Sequence, residues 1–408
     1  MKSVKAAPVW IIICGSLFFV YLIFFVRLVF FNSSTAMSFP QLVPVYTPLG
    51  MDLRAMLSYA AELLKGGTPY SGGNNIGAYI YPPLASVFFC PLTALPFKYA
   101  YLLVTLLTIS AFISVVLVLP LAACEKPDRA ALVALTITGL LSYGLLFEIE
   151  QGQFNVIAFA CCAWAIYLFH AGRRKWVRLG AYLLFSIAIQ LKLYPALFVF
   201  AFARNARDLK SNIIRWSVLG AANIALLFAL GPSILHDFLT VIMNYEKNNF
   251  IWCGNHSIKS FAALMQNTNV PFVSFFGPGF TLILAVCFAL ILIVAYVRNA
   301  RASFKYLVTI CALSTMLIPS ISHDYKLPIL SMTFAVFVGE TGPVMVNRFR
   351  GIIMALLLFA LSILHASTLL FYTFKPVLLL CNTPVLMLAC IILVFMMLTE
   401  TMQNKESP

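Results

Sequence analysis

Charged residues are scarce in this chain. Asp, Glu, Lys and Arg together make up 10% of its 408 residues, whereas hydrophobic residues make up 62% and the mean hydropathy is +0.96. A soluble globular protein has about 25% charged residues, so the composition excludes an ordinary soluble domain and indicates an integral membrane protein. Long apolar runs, rather than short stretches of alternating polarity, favour membrane-spanning helices over a β-barrel.

Several motifs of well-known enzyme classes are also missing. The sequence contains no glycine-rich phosphate loop, no HExxH and no GxSxG, so it carries no nucleotide-binding or common hydrolase signature. Its ten cysteines show no CxxC spacing, and they indicate neither a zinc site nor a disulfide framework. We therefore expect no cofactor and assign no metal ligand, although a metal requirement stays open. The energy for any group transfer then has to come from an activated lipid.

The basic residues give the orientation in the membrane. A net charge of +14 is typical of proteins that bind nucleic acid, but here the basic residues lie in short loops between apolar runs. Such residues mark the cytoplasmic side of a membrane protein, so we expect no nucleic-acid partner. The four basic runs are residues 173–178, 204–215, 298–305 and 348–350.

The apolar runs predict about twelve spans of some 20 residues, with both termini inside. The fold class is thus an all-α polytopic membrane protein with a single transmembrane domain over residues 1–408. The segment 81–96 is apolar but short and rich in proline, and counting it as a span would invert every later loop. We therefore expect a helix at the outer interface there. The predicted spans are residues 9–31, 98–123, 130–147, 155–170, 177–191, 194–203, 213–231, 279–297, 306–322, 328–342, 351–370 and 376–398.

Two outer loops are long, at residues 32–97 and 232–278. The first loop includes the segment 51–65, which has the apolar spacing of an amphipathic helix and is followed by two glycines that predict its end. This helix is predicted to lie at the membrane interface, with Asp52 at its N-terminus. Its predicted apolar face consists of Leu53, Met56, Leu57, Ala60 and Leu64.

Five polar clusters interrupt the apolar runs, and the predicted topology puts all five on the outer side. A charged group at the centre of a bilayer costs roughly 2.5–3.5 kcal/mol, so we expect the clusters to share a cavity instead of lying apart in lipid. The clusters are Asp52 with Arg54, residues 148–155, Lys192 with Tyr194, residues 255–259 and residues 323–326.

Each cluster has both a structural and a functional interpretation. Asp52 either stabilises the start of a helix through the helix dipole or acts as a general base whose pKa is raised by partial desolvation. Asn155 either caps the next helix or, with Gln153, binds sugar hydroxyls. Lys192 either extends to the outer headgroups or binds phosphate.

The two remaining clusters each contain a histidine. Asn255 and His256 form one of them. His323, followed by Asp324, Tyr325 and Lys326, forms the denser one. A histidine in such a group binds phosphate, orients a sugar or assists proton transfer, and the sequence does not choose between these roles.

In this order, the motifs resemble those of the GT-C membrane glycosyltransferases, and they are most similar to glycosyltransferase family 87, which includes polyprenyl-phosphate-mannose-dependent mannosyltransferases. The resemblance covers roughly residues 45–330. It rests on Asp52 followed by Gly66-Gly67-Thr68-Pro69-Tyr70, Tyr81-Pro82-Pro83-Leu84, Gly152-Gln153-Phe154-Asn155, Leu191-Lys192-Leu193-Tyr194-Pro195, Asn255-His256-Ser257 and Ser320–Tyr325.

The resemblance implies a multi-pass protein of the bacterial inner membrane whose site faces the periplasm and contributes to cell-envelope glycan. It implies that a hexose, most readily mannose, moves with inversion from a polyprenyl-phosphate donor to a lipid-linked or glycan acceptor, among membrane lipids. Asp52 matches the family's base. The family stretch that usually carries Trp-Asp-His here reads His323-Asp324-Tyr325, so the residue that takes the histidine's role stays open.

The predicted site therefore has two catalytic candidates, Asp52 and His323. The substrate-binding candidates are Arg54, Tyr81, Gln153, Asn155, Lys192, Tyr194, Asn255, His256, Asp324, Tyr325 and Lys326.

Two other classes of function compete with glycosyl transfer. A transporter or flippase of lipid-linked sugar also has buried charges and broken helices, but the sequence has no inverted repeat and its polar groups gather at one face. A structural or assembly subunit leaves the outer Asp, His and Lys residues unexplained. We therefore favour the glycosyltransferase.

Overall fold

The computed structural model describes residues 49–70, 79–124, 127, 129–140, 142–203, 208–247, 250–251, 254–266, 273–297, 300–341 and 382–406. Over these residues the chain is helical and contains no β-strand, as the sequence predicts. The predicted spans at 9–31 and 351–370 lie outside the described residues.

Helices of very different lengths follow one another along the chain. Three 3₁₀-helices cover Cys90–Ala94, Tyr194–Ala201 and Asp324–Lys326, and a π-helical turn at Ser114–Val118 joins α3 to α4. The α-helices are α1 (Met51–Leu64), α2 (Pro83–Phe89), α3 (Phe97–Ile113), α4 (Leu119–Ala123), α5 (Arg129–Leu140), α6 (Tyr143–Gln151), α7 (Asn155–Ala171), α8 (Lys175–Leu191), α9 (Leu209–Leu227), α10 (Pro232–Lys247), α11 (Ile258–Gln266), α12 (Val273–Val297), α13 (Ala300–Leu317), α14 (Pro328–Thr341) and α15 (Asn382–Glu406).

Three stretches of the described chain are long and apolar enough to cross a membrane. They are Phe97–Ala123, Ser274–Val297 and Asn382–Thr401. The count rises to five if two bent pairs of helices are each taken as one span, namely α6 with α7, bent by 114°, and α9 with α10, bent by 103°. The chain is therefore a helical membrane protein, and several of the twelve predicted spans correspond to shorter or broken helices.

Two predicted spans differ from the observed helices. The predicted span 130–147 is interrupted, because α5 ends at Leu140 and α6 begins at Tyr143, where the Ser142 hydroxyl accepts a hydrogen bond from the backbone N–H of Leu145 at 3.4 Å. A serine in this position is a typical helix N-cap. The predicted span 194–203 is a 3₁₀-helix with proline near its start, so it is tighter and shorter than a full span.

Helix α1 confirms the predicted helix in the first outer loop. Leu53, Met56 and Ala60 are fully buried on its inner face, whereas Leu64 is 62% exposed. The helix ends as predicted, because Gly66 has a φ of +81°, a conformation that glycine adopts readily.

The polar clusters lie at one end of the helices, which we call the site end, and the described parts of the basic runs 173–178, 204–215 and 298–305 lie at the other, the basic end. Helix α8 begins in a basic run and ends beside Lys192. Helices α13 and α15 are antiparallel, since Lys305 near the start of α13 pairs with Glu400 near the end of α15 at 3.0 Å. At the opposite end of α15, the Thr383 hydroxyl donates to the carbonyl of His256 at 3.0 Å. The helix directions thus separate the polar clusters from the basic runs.

The turn between α6 and α7 lies directly against α1. Gly152 in this turn has a φ of +68°, and a Cβ built on it would be 2.7 Å from the Cβ of Leu53. One hydrogen bond holds the same contact, since the N–H of Gly50 donates to the carbonyl of Glu150 at 2.8 Å. The hydroxyl of Tyr101 on α3 fixes the end of α6 by donating to the carbonyl of Ile149 at 2.7 Å. The start of α1 is thereby held beside the residues that follow Gly152.

We predict that Gly152→Ala lowers the free energy of unfolding by about 1–3 kcal/mol, because alanine at a positive φ is strained and its methyl group collides with Leu53. Gly180→Ala is the matched control, since Gly180 lies in α8 with no atom near its missing Cβ and alanine favours a helix. Thermal unfolding in detergent measures both. Equal midpoints for the two variants would contradict the close contact between α1 and the turn.

Candidate active site

The side-chain amide of Gln153 lies at the centre of the polar clusters. Its Nε2 donates to Asp52 Oδ2 at 2.6 Å and to the Tyr81 hydroxyl oxygen at 3.0 Å. Its Oε1 accepts from Lys192 Nζ at 2.8 Å. One carboxamide therefore connects a carboxylate on α1 to an ammonium that follows α8.

The Lys192 side chain is a buried cation, with only 8% of the residue exposed. Its Nζ lies 4.2 Å from the ring centre of Tyr81, 4.3 Å from that of Phe154 and 6.0 Å from that of Tyr325. No carboxylate of the described residues comes within ion-pair distance of it, and Gln153 is its one described hydrogen-bond acceptor. Aromatic faces partly replace the lost hydration of the cation, and two of its three N–H groups are left for another acceptor.

The charges at this centre influence one another. Burial raises the pKa of Asp52, and the hydrogen bond from Gln153 and the charge of Lys192 offset part of that rise. Burial lowers the pKa of Lys192, which the carboxylates of Glu148 and Asp52 partly offset. A raised pKa makes Asp52, which is partly exposed, a better proton acceptor than an ordinary aspartate.

The start of α7 is held by a buried carboxylate. Glu148 Oε1 accepts from the backbone N–H of Val156 at 2.7 Å, and its Oε2 accepts from Asn155 Nδ2 at 3.1 Å. The Tyr194 hydroxyl donates to the carbonyl of Asn155 at 2.6 Å. Glu148, rather than Asn155, thus caps α7, because its carboxylate reaches the free N–H groups of the first turn. The Asn155 amide is fully buried, and its Nδ2 holds the Glu148 carboxylate in place.

Two segments that are distant in sequence meet beside this centre. Asn255 and His323 form an isolated antiparallel bridge, and the N–H of His256 donates to the carbonyl of Ser322 at 2.8 Å. The His256 and Asp324 side chains are fully buried, with Nε2 and Oδ1 3.0 Å apart. Together these contacts connect the predicted cluster at 255–259 to the one at 323–326.

His323 and Tyr325 bring the second segment towards Lys192. Their rings are in edge contact with centres 5.5 Å apart, and the Tyr325 ring stacks on Phe147 of α6 at 6.1 Å. Burial lowers the pKa of His323 to about 3. The imidazole is therefore neutral at pH 7, and it acts as a hydrogen-bonding group instead of a cation.

Two predicted binding residues donate their hydrogen bonds to backbone carbonyls instead of to the groups around Gln153. Lys326 Nζ donates to the carbonyl of Ile321 at 3.1 Å and to that of Thr315 at 3.5 Å, so it holds the end of α13. Arg54 lies on the exposed side of α1, with its guanidinium 3.5 Å from the ring centre of Phe97. Both cations are engaged by groups other than those around Gln153.

The structure thus brings the five predicted clusters together at the site end. Sequence reasoning missed the aromatic rings that line the centre, namely Phe154 beneath Lys192 and Phe147 beneath Tyr325. A phenylalanine next to an apolar run carries no distinguishing signal. Tyr59 was also missed, although it lies seven residues after Asp52 on the buried side of α1, a spacing that puts both on one helix face.

No group of three or more His, Cys, Asp or Glu side chains in the described part of the chain is placed to hold a metal ion. The sequence assigns no metal ligand, and that assignment stays a prediction.

Comparison with known protein families matches residues 79–320 to glycosyltransferase family 87. The chain belongs to glycosyltransferase family 87. It is therefore a glycosyltransferase, which answers the choice between enzyme, transporter and assembly subunit. No curated protein and no solved structure matches the chain.

The family 87 match covers part of the candidate site. Tyr81, Gln153 and Lys192 fall inside the matched residues, as do Asn155, Tyr194, Asn255 and His256. Asp52 and the segment 323–326 fall outside them. The hydrogen bond between Asp52 and Gln153 nevertheless joins the unmatched first outer loop to the matched part of the chain.

We predict that the two buried lysines differ in their effect on stability. Lys326→Met removes the donor for the carbonyls of Thr315 and Ile321, so we expect the free energy of unfolding to fall by about 1–3 kcal/mol and the thermal midpoint to fall with it. Lys192→Met removes a buried cation that has no ion-pair partner. We therefore expect the free energy of unfolding to stay within about 1 kcal/mol of the wild type or to rise. Thermal unfolding of both variants in one detergent measures the difference. A larger loss for Lys192→Met would show that this ammonium stabilises the fold.

Proposed function

We propose that the chain is an inverting hexosyltransferase that uses a polyprenyl-phosphate sugar as donor and a hydroxyl of a lipid-linked or glycan molecule as acceptor. Mannose is the favoured sugar on the resemblance of its motifs to mannosyltransferases. Asp52 is the general base in this proposal, and Lys192 holds the phosphate.

One observation supports this proposal above the others. A partly exposed carboxylate and a buried ammonium without an ion-pair partner lie at the two ends of one carboxamide, at 2.6 Å and 2.8 Å. Glycosyl transfer from a lipid phosphate needs these two groups, a proton acceptor for the attacking hydroxyl and a cation for the leaving phosphate. A site built only for stability has no reason to leave a buried ammonium unpaired.

The reaction follows from these positions. The acceptor hydroxyl gives its proton to the Asp52 carboxylate as its oxygen attacks the anomeric carbon. The bond between this carbon and the phosphate oxygen breaks, and the phosphate leaves with the bonding electrons. The transition state resembles an oxocarbenium ion, as in glycoside hydrolysis, and a single displacement inverts the configuration.

Charge develops on the phosphate while this bond breaks. The donor is a phosphodiester with one negative charge, and the departing prenyl phosphate gains a second. Lys192 has two N–H groups for this oxygen, and a cation already in place stabilises charge without reorganisation. A neutral imidazole at His323 supplies one further N–H at most. Lys326 already donates to two carbonyls, so it contributes by holding the segment 321–326 in place.

The helix directions support a site on the extracytoplasmic face. Basic residues favour the cytoplasmic side, and the basic runs and the site lie at opposite ends of α8 and α13. An amphipathic α1 carrying Asp52 suits the membrane interface, where a donor embedded in lipid meets an acceptor hydroxyl.

We predict that Asp52→Asn lowers transfer of labelled mannose from a prenyl-phosphate donor by about 100-fold or more, because loss of a general base typically costs 10²–10⁴. Asp237→Asn is the matched control, since Asp237 accepts from Thr68 at 3.0 Å and has no place in the mechanism. Transfer by purified protein in detergent measures both. Full activity of the Asn variant would remove Asp52 as base.

The pH dependence gives a second check on Asp52. A general base works only when it is deprotonated, so kcat/KM falls as pH drops through its pKa. The ordinary pKa of aspartate is about 4. Because burial raises the pKa of Asp52, we predict that this acidic limb lies at a higher pH than that. The Asp52→Asn variant loses the limb. A limb at the usual position would contradict a desolvated base.

We predict opposite locations for two loops when the chain is expressed in a bacterium. A phosphatase reporter, active only outside the cytoplasm, is fused after Arg207 or after Asn249. The first fusion is inactive and the second active, because the two positions flank α9 at the basic end and α10 at the site end. Activity of the first fusion without the second would put the site in the cytoplasm.

A further inference from the structure

The carboxamide of Gln153 is fully used by the protein itself. Both of its N–H bonds point to described acceptors, Asp52 Oδ2 and the Tyr81 hydroxyl oxygen, and its oxygen accepts from Lys192 Nζ. Because only 2% of the residue is exposed, little of this amide is left for a sugar hydroxyl. The role in substrate binding that the sequence suggests for Gln153 therefore needs another interpretation.

The charges on either side decide the orientation of the amide. A carboxylate accepts hydrogen bonds and an ammonium donates them, so Nε2 has to face Asp52 and Oε1 has to face Lys192. The amide dipole is thus aligned between a negative and a positive group, which strengthens both hydrogen bonds.

The backbone holds Gln153 in this position. Its N–H donates to the carbonyl of Glu148 at 2.9 Å, and the left-handed Gly152 directly before it lies against Leu53 of α1. The side chain therefore starts from a fixed point beside the first turn of α1, which carries Asp52.

We infer that Gln153 is a positioning residue, a neutral spacer that keeps the Asp52 carboxylate and the Lys192 ammonium one carboxamide apart. This inference rests on the proposed function. In a direct ion pair the carboxylate would be a weaker base, and its negative charge would neutralise the ammonium that the departing phosphate needs. With the amide between them, the carboxylate faces the acceptor hydroxyl and the ammonium faces the phosphate.

The groups that face Asp52 limit what a change at Gln153 can do. They are Lys192 and the phenols of Tyr59, Tyr81 and Tyr325, each close enough for an electrostatic effect. Burial raises the pKa of all three tyrosines, so they stay neutral throughout the range of an enzyme assay. Within the described residues, Lys192 is thus the charged partner whose effect the spacer controls.

Two substitutions test this inference. Gln153→Glu puts a second carboxylate against Asp52, and two adjacent carboxylates hold a shared proton more tightly. We expect the acidic limb of kcat/KM to move up by about one pH unit or more. Gln153→Met keeps the size of the side chain but removes all its hydrogen bonds, so we expect kcat to fall at least about tenfold, as for the loss of one positioned group, with KM for the acceptor changed less than about threefold.

The assay uses purified full-length protein, farnesyl-phosphate [³H]mannose as donor and n-octyl α-mannoside as acceptor probe. Gln151→Met is the matched control, because Gln151 lies in the same turn and donates to Glu150 at 2.7 Å but not to Asp52. It keeps the wild-type pH profile. Size-exclusion profiles and thermal midpoints confirm that each variant is folded.

The outcomes separate the inference from the proposed function. If the wild type transfers mannose and Gln153→Met raises KM while keeping kcat, the amide binds substrate and the spacer role is wrong. An unmoved acidic limb in Gln153→Glu would also overturn it. If the wild type transfers nothing from prenyl-phosphate sugars, the proposed function fails and the inference fails with it.

Discussion

The candidate site depends on how closely α6 approaches its neighbours at both of its ends. At its C-terminal end, Gly152 leaves no room for a Cβ beside Leu53 of α1, and at its N-terminal end a Cβ on Gly144 would be 2.7 Å from the Cβ of Leu327. The first contact places Asp52 next to Gln153. The second places the segment 324–327 against α6, so that Tyr325 stacks on Phe147. Two glycines, one in the first turn of a short helix and one directly after its end, thus bring the first outer loop and the segment after α13 to the same point.

Burial of Lys192 is the main energetic cost at this point. Moving an ammonium out of water costs several kcal/mol even after the protein relaxes. Three aromatic rings and one amide oxygen offset part of this cost, those of Tyr81, Phe154 and Tyr325 and that of Gln153. The more distant carboxylates of Asp52 and Glu148 offset a further part. None of these is a close ion pair. The ammonium is therefore held in place yet still able to bind an anion, which is the state that catalysis of phosphate departure requires.

Much of the site could be predicted from the sequence, because polar residues in an apolar chain are few and each one needs a partner or a cavity. Asp52, Gln153, Lys192 and His323 were all selected in this way, and the structure brings their clusters together. What could not be predicted is how the partners pair. Lys326 carries the same ammonium as Lys192, and Asn155 the same amide as Gln153. Only the folded backbone shows that Lys326 and Asn155 hold the ends of helices, whereas Lys192 and Gln153 lie beside Asp52. The predicted spans failed where a serine cap or a proline decides the helix boundary, since hydropathy is blind to both.

Each of the central residues follows a helix end, and this is a consequence of the membrane. Gln153 follows the left-handed end of α6, Lys192 follows α8 before a 3₁₀-helix, and His323 precedes a 3₁₀-turn after α13. Irregular backbone is tolerated at membrane depth only where other protein groups satisfy it. Glu148 does so by accepting from a free N–H at the start of α7, and Lys326 by donating to the carbonyl of Ile321 beyond the end of α13. These polar residues thus make the breaks possible, and the breaks place Gln153 and Lys192, from two separate helix ends, within hydrogen-bonding distance.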